Sequence, residues 1–141
     1  MEENETARRR TLIEDALDAV LPKASERPAV LGEAMRWAVE GGGKRIRPAL
    51  CLLAAHGGPA FSLEHALPLA TALELIHTAS LVHDDVIDKA DTRRGAPTAN
   101  AKWDNKIAIL AGDYIFARAF HLVTEGGYGD HGSGRLAWLV Q

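Results

Sequence analysis

The most informative part of this chain is the stretch His83-Asp84-Asp85-Val86-Ile87-Asp88, followed by Asp91-Thr92-Arg93-Arg94-Gly95. In a helix, Asp84 and Asp88 lie about 40° apart around the axis and about 6 Å apart along it, on one face. Two carboxylates in that position repel each other unless a cation lies between them. Mg²⁺ suits the position, because it takes few carboxylates and completes its shell with water and phosphate oxygens. Arg93 and Arg94 add planar guanidinium groups that bind phosphate with two hydrogen bonds. The pattern predicts a metal-dependent site for a diphosphate.

The residues before these acids, 69–82, are largely apolar. So apolar a helix is mostly buried, which means that its acids emerge from a core. Carboxylates are also unfavourable near a helix C-terminus, where the helix dipole is already negative, and this favours a bound cation. The alternative interpretation is a solvated acidic helix end followed by a basic turn.

A second motif, Gly41-Gly42-Gly43-Lys44-Arg45-Ile46-Arg47-Pro48, places flexible residues before three cations. Glycine allows positive φ and a close approach of the backbone to a ligand. Lys44 and Arg47 are three residues apart and can converge on one anion. Taken alone, such a stretch is more often a plain loop, but together with the acidic motif it predicts phosphate binding.

Together these motifs resemble the trans-polyprenyl diphosphate synthases, which elongate isoprenoid chains head to tail. Three blocks carry the resemblance: residues 42–48, residues 74–88 running on to Arg93-Arg94-Gly95, and Leu110-Ala111-Gly112-Asp113-Tyr114-Ile115-Phe116-Ala117-Arg118. They follow one another with the family's order and spacing over about Leu31 to Phe120. The resemblance implies an all-α fold, the amino-terminal half of an isoprenoid-synthase helical bundle.

The resemblance also implies roles for individual residues. Asp84 and Asp88 correspond to Mg²⁺ ligands, with Asp85 supporting them, and Arg93 corresponds to a contact with the diphosphate of an allylic primer. Four residues would form the pocket for the diphosphate of isopentenyl diphosphate: Lys44, Arg47, His77 and Arg94. His83 is interpreted as structural or as a support to the ligands.

The implied reaction is a prenyl transfer with Mg²⁺ as cofactor. The allylic diphosphate ionises, the alkene of isopentenyl diphosphate attacks the cation, and loss of a proton restores a double bond. Ala79 and Ser80 lie about one turn before Asp84 and would border the growing tail. Because both are small, they imply a product longer than geranylgeranyl diphosphate, although small residues could instead serve close helix packing.

The chain departs from the family in length, since members carry a second aspartate-rich motif and a further lysine contact that nothing after Phe120 resembles. We expect residues 1–141 to form one partial domain, with the motifs in 31–120 and a glycine-rich loop and the start of a further helix in 126–141. A fragment, one half of a split enzyme, and a protein with another role are the possible accounts, in that order.

Three functions remain open at this point: a prenyl elongase, a non-catalytic diphosphate-binding or regulatory subunit of a split synthase, and a terpene cyclase. The last is disfavoured by the set Lys44, Arg47 and His77, because a cyclase has no second diphosphate to bind.

Composition narrows the remaining possibilities. The formal net charge of −3 does not indicate the basic surface that nucleic-acid binding requires. The single cysteine, Cys51, excludes an internal disulfide and fits a reducing cytoplasm. The start of the chain lacks the basic-then-apolar order of a signal peptide. No uninterrupted apolar run reaches the ~18 residues of a membrane span, so we expect no transmembrane segment.

The periodicity predicts helices and no β-structure. The predicted helices are Arg8–Leu21, Pro28–Glu40, Arg47–His56, one to about Lys89 that is capped by Ser62 or reset at Pro68, and Ala101–Thr124. Gly112 marks either a break or a close helix contact.

By the resemblance, the region from Asn105 to Phe120 pairs subunits, so we expect a homodimer or a complex with a chain that supplies the second half. Its apolar face, which could equally be core, comprises Ile107, Ile109, Leu110, Ile115, Phe116 and Phe120.

Overall fold

The computed structural model describes residues 2–23, 25–26, 28–58 and 62–125, with side chains from residue 4 onward. The helices are α1 (Glu2–Val20), α2 (Ala29–Glu40), α3 (Ile46–His56), α4 (Leu63–Ile87), α5 (Ala99–Lys102) and α6 (Asn105–Glu125). Between α4 and α5 lie two short strands, β1 (Thr92–Arg93) and β2 (Ala96–Pro97). The predicted all-α class is confirmed.

Helix α4 is the central element and packs against α6, α3, α1 and α2. Its buried face includes Ala70, Leu75 and Ala79, none of which has exposed surface. Across from it, α6 contributes a row of fully buried residues: Ala108, Ala111, Ile115 and Ala119. Alanines on both helices allow the two axes to come close, since the distance between packed helices depends on the side chains at the contact. The apolar stretch before the acidic motif therefore lies mostly in the core, as predicted, although Leu73 is exposed.

The first four predicted helices are present, and their bounds agree with the prediction except that α1 begins six residues earlier than the predicted Arg8. α1 begins at Glu2, and α4 runs from Leu63 without interruption through Pro68. Pro68 is the sixth residue of α4 and lacks the N–H that would bond the Glu64 carbonyl, yet the helix continues through it. The predicted hydroxyl cap of Ser62 is not formed, because its Oγ lies 3.1 Å from Nδ1 of His65 and bonds no backbone amide of α4. The glycine-rich loop and final helix predicted for 126–141 lie outside the described residues.

The single helix predicted from Ala101 was wrong, because the chain forms α5 and then α6. Thr98 Oγ1 accepts a hydrogen bond from the Ala101 amide at 3.3 Å and so caps α5. Asp104 Oδ1 accepts one from the Ile107 amide at 2.8 Å at the start of α6. Side-chain oxygens that satisfy free amides start helices, so two such residues close together divide the segment.

The prediction of no β-structure was also wrong. Thr92 pairs with Pro97 and Arg93 with Ala96 in an antiparallel hairpin. The loop between the strands is Arg94-Gly95, with φ of 52° and 78°. Positive φ at both central residues is typical of the two-residue turn that matches the twist of a hairpin. The strands are too short for an alternating pattern, so periodicity could not reveal them.

Gly112 marks a close helix contact, one of its two predicted meanings. A Cβ added there would lie 2.3 Å from Nε2 of His83, whose ring occupies the notch over the glycine. The same nitrogen lies 3.1 Å from the carbonyl oxygen of Ile109. Because a carbonyl can only accept, Nε2 is the donor. His83 thus has a structural role between α4 and α6.

The apolar face predicted on α6 divides into two parts. Ile115 is fully buried, and Ile107 and Phe116 pack against the core. Ile109, Leu110 and Phe120 are exposed. Only these three, joined by the exposed Tyr114, remain available for an association surface.

By length and composition, α6 is apolar enough to cross a membrane, with a mean hydropathy of 1.4 over its most apolar window. The expectation of no such segment rested on uninterrupted apolar runs, which Asp113 and Arg118 prevent. One such helix is weak evidence, since core helices pass the same test, and 33% of the window is buried inside the fold.

Candidate active site

Four residues predicted to bind one diphosphate line a single pocket of about 440 Å³, together with Gly43, Arg45, Ile46 and Glu74. We call this the basic pocket. The four come from separate parts of the chain, namely the loop before α3, α3 itself, α4 and the hairpin: Lys44, Arg47, His77 and Arg94. Since like charges converge only where the fold holds them, the arrangement is suited to an anion.

The glycine loop and the hairpin form one wall of the basic pocket. Gly42 and Gly43 adopt φ of 86° and 158°, and the guanidinium of Arg94 donates a hydrogen bond to the carbonyl of Gly42. A Cβ at Gly43 would approach Nη1 of Arg94 to 3.1 Å. The glycines therefore let Arg94 reach across the loop, so that the hairpin and the loop are fixed relative to each other.

Arg45 differs from the cations on either side of it. Its backbone is left-handed, with φ of 50° and ψ of 36°, a conformation that costs a non-glycine residue about 1–2 kcal/mol. The residue is 5% exposed, whereas Lys44 and Arg47 are exposed. Its side chain contacts Glu14 of α1 and Glu74 of α4. The sequence showed three equivalent cations here, and the two glutamates were missed because their partner lies about thirty residues away in the chain.

His77 lies in the basic pocket under strong electrostatic influence. Burial lowers its pKa below the ordinary value of 6.5, and the nearby charges of Arg47, Arg94 and Arg93 lower it further against the opposing effect of Glu74. The imidazole is therefore neutral at pH 7. In that form it can donate one hydrogen bond to a phosphate oxygen without adding to the charge.

Asp84 and Asp88 are exposed near the end of α4. Neither carboxylate accepts a hydrogen bond or forms an ion pair with another described residue. Within the described ranges, no group of three or more His, Cys, Asp or Glu side chains could enclose a metal ion. Two available carboxylates on one helical face fit an ion such as Mg²⁺, which keeps waters and phosphate oxygens in its shell, better than an ion that needs a closed protein cage.

Asp85 has another partner. Arg93 donates three hydrogen bonds to its two carboxylate oxygens, at 2.7, 2.9 and 3.1 Å. The Asp85 side chain is only 8% exposed. The hydrogen bond to Asp85 raises the pKa of Arg93 above its ordinary value against the effect of burial, and the charges of Asp84 and Asp88 act in the same direction. In this geometry Asp85 orients Arg93. The sequence had instead predicted Asp85 to be a supporting metal ligand.

The two predicted chain-length residues occupy different environments. Ala79 is fully buried in the core, while Ser80 is half-buried and its hydroxyl donates to the carbonyl of His77 at 2.7 Å. Of these two residues, only Ser80 has exposed surface that a bound tail could touch.

This helical bundle, whose central helix bears an aspartate pair and one wall of a basic pocket, has the fold of the isoprenoid synthases. The model of the polyprenyl synthetase family matches residues 28–134. The chain therefore belongs to the polyprenyl synthetase family.

Named relatives agree with this assignment. An all-trans-nonaprenyl-diphosphate synthase of Rhodobacter capsulatus is 50% identical over 101 residues, which cover 72% of this chain and 31% of that protein. Heptaprenyl diphosphate synthase component 2 of Geobacillus stearothermophilus is 57% identical over 95 residues, 67% of this chain and 29% of that protein. The crystal structure of a geranylgeranyl pyrophosphate synthetase from Pyrococcus horikoshii Ot3 superposes with a TM-score of 0.85 at 36% identity, covering 99% of this chain and 42% of that one.

The chain spans about a third of the length of these curated relatives. This partial coverage fits the expected amino-terminal half of the family's fold.

Proposed function

We propose that this chain is part of a Mg²⁺-dependent prenyltransferase that condenses isopentenyl diphosphate with an allylic diphosphate. The product would be a medium-to-long polyprenyl diphosphate. One observation carries the proposal: the basic pocket adjoins the same helix that presents Asp84 and Asp88. A site for one diphosphate and a site for a second, metal-bound diphosphate are what such a condensation requires.

In the basic pocket, Lys44 and Arg47 hold the diphosphate of isopentenyl diphosphate from one side. Arg94 holds it from the hairpin, and neutral His77 donates a hydrogen bond. These contacts fix the position of the alkene by fixing the diphosphate to which it is attached. Orientation of this kind replaces a bimolecular encounter by a positioned one, which is a large part of the rate that an enzyme can supply.

Asp84 and Asp88 lie about two and three turns beyond His77 along α4, with Asp84 within about 20° of His77 around the helix. They would hold Mg²⁺, which when bound supplies positive charge to the departing diphosphate. Arg93, oriented by Asp85, points a fixed guanidinium at the same diphosphate. Such fixed charges stabilise the leaving group as the allylic C–O bond breaks, without reorganising during the reaction.

No nucleophilic side chain takes part. The only cysteine, Cys51, has its pKa raised by burial and stays a neutral thiol.

The remaining parts of the proposal concern the assembly and its location. Residues 1–141 would form one partial synthase domain. A second aspartate-rich motif would come from a further segment or from a separate chain. A separate chain is supported by the relative that is named as component 2 of a heptaprenyl diphosphate synthase. Association through the exposed part of α6, as a homodimer or with that second chain, would take place in the cytoplasm.

The test is prenyl transfer with radiolabelled isopentenyl diphosphate and geranyl diphosphate. The purified chain is assayed alone and mixed with the carboxy-terminal part of a polyprenyl diphosphate synthase, in each case with Mg²⁺ and with EDTA. We expect transfer only from the mixture and only with Mg²⁺. A chain with its Asp84 and Asp88 changed to Asn serves as the inactive control for contaminating synthase.

The second candidate is a non-catalytic diphosphate-binding or regulatory subunit. It is favoured because that relative is named as component 2 of a heptaprenyl diphosphate synthase. It predicts diphosphate binding without turnover in any mixture. It also predicts that the Asn variant still stimulates a catalytic partner, whereas the enzyme predicts that this variant abolishes transfer.

A further inference from the structure

Arg45 is bound so completely by the protein that it is not available to a ligand. Its Nε and Nη2 donate to Glu14 at 2.9 and 3.1 Å, its Nη1 donates to Glu74 at 3.1 Å, and its Nη2 donates to the Val39 carbonyl at 2.8 Å. With a side chain only 4% exposed, Arg45 joins α1, the end of α2 and α4 at one point. The Val39 carbonyl is near the end of α2, where helix carbonyls lack helical partners.

This attachment separates the three cations of the motif. The left-handed backbone of Arg45 comes directly after Gly43-Lys44 and directly before α3. Because Arg45 turns inward at this residue, its neighbours Lys44 and Arg47 are left on the surface of the basic pocket. An anchor with four hydrogen bonds therefore sets where both of these cations stand.

The ion pair between Arg45 and Glu74 also affects the charge of the basic pocket. Its residue surface is only 5% exposed, yet it lies in the wall of the basic pocket, one turn from His77. A carboxylate in that wall opposes a diphosphate, and a buried charge is screened far less than an exposed one. Arg45 is its hydrogen-bonded counterion. Burial alone would lower the pKa of Arg45, but the hydrogen bonds to Glu14 and Glu74 outweigh burial and raise it, so Arg45 remains charged.

We propose that Arg45 is a positioning residue that neutralises Glu74 and anchors the glycine loop, so that Lys44 and Arg47 present unopposed positive charge to a diphosphate. The proposal rests on the proposed function, because it assumes that a diphosphate occupies the basic pocket. It makes Glu74 an antagonist of binding whose effect Arg45 cancels.

The test is calorimetric titration of the 141-residue chain with inorganic diphosphate at low ionic strength and pH 7.5. Glu74→Gln should bind diphosphate about three- to tenfold more tightly than the wild-type chain, because one nearby negative charge is gone. Arg45→Met should bind at least about tenfold more weakly, since Glu74 is left unpaired. The double variant Arg45→Met/Glu74→Gln should return to within about threefold of wild type. These differences should shrink as salt is added.

Arg36 provides a matched control. It too contacts two carboxylates, Asp18 and Glu40, and a backbone carbonyl, that of Pro22, but it does not line the basic pocket. Arg36→Met should leave the affinity for inorganic diphosphate unchanged. If Arg45→Met fails to fold, as judged by circular dichroism, Glu74→Gln and the double variant still decide the matter. Damage to structure alone would weaken binding and could not tighten it.

Different results would overturn the proposed function and the proposed role of Arg45. If the wild-type chain bound no diphosphate, the proposed function would be overturned and this inference with it. If the wild-type chain bound diphosphate but Glu74→Gln bound it no more tightly, the inference alone would be overturned. An equal loss in Arg36→Met and Arg45→Met would overturn it as well.

Discussion

Replacing Gly112 by alanine probes the contact between α4 and α6 that is made by His83, the residue before Asp84. The new Cβ would stand 2.3 Å from Nε2, 2.6 Å from Cδ2 and 3.1 Å from Cε1 of His83. Since the helix backbones are fixed by a fully buried row of alanines, the ring has to leave the notch. It then loses its hydrogen bond to the Ile109 carbonyl, worth about 0.5–1.5 kcal/mol. It also loses its contact with the Phe116 ring, worth about 0.5–1.5 kcal/mol.

Against this loss stands the helix propensity of alanine, which exceeds that of glycine by about 1 kcal/mol. Gly112→Ala should therefore lower the free energy of unfolding by about 1 kcal/mol. Gly32 in α2 is the matched control, because a Cβ there meets Pro22 Cβ at an ordinary 3.4 Å. Gly32→Ala should raise the stability by up to about 1 kcal/mol, which separates the two variants by about 2 kcal/mol.

The assay is thermal and urea unfolding of the chain followed by circular dichroism. A difference of about 2 kcal/mol corresponds to roughly 8 °C in Tm for a domain of this size. In a His83→Ala background the notch is empty, so Gly112→Ala should become stabilising. If Gly112→Ala changed stability equally in both backgrounds, or stabilised the chain as Gly32→Ala does, the described contact with His83 would be refuted.

Other expectations concern the site. In a completed enzyme, Asp84→Asn should lower turnover in Mg²⁺ by about 10²-fold or more, and near-normal turnover would contradict the metal assignment. Lys44→Ala should mainly raise the KM for isopentenyl diphosphate, which initial rates at varied substrate would reveal. Because the fold holds the pKa of His77 below 6.5, unfolding takes up a proton below that pH. His77 should therefore make stability rise with pH up to about 6.5 and then level off. Proton NMR of the imidazole should give a midpoint below 6.5 that moves up when inorganic diphosphate binds. Ser80→Phe should shorten the product by one or more five-carbon units in chromatography of the prenyl alcohols, while fully buried Ala79→Phe should first cost about 1–3 kcal/mol of stability by overpacking.

Local sequence patterns were sufficient for much of the fold. Apolar spacing gave α2 and α3 to within one residue at each end, and the long apolar run before the acids became the central helix. These features depend on neighbours within a turn or two of the same helix, which a sequence displays directly. The hairpin was missed for the opposite reason, because its two-residue strands owe their existence to Arg94 in a left-handed conformation rather than to any periodicity.

The sequence by itself determined the residue types of the candidate site: paired acids at helical spacing, a glycine turn with three cations, and two arginines after the acids. It could not determine which charges face a ligand and which face each other. The tertiary structure turned Arg45 inward to Glu14 and Glu74, paired Asp85 with Arg93, and left Lys44 exposed. The physical reason is that an ion pair forms between groups that folding brings together, often from distant segments, and burial decides which charges must be paired. Periodicity within one helix carries no information about either.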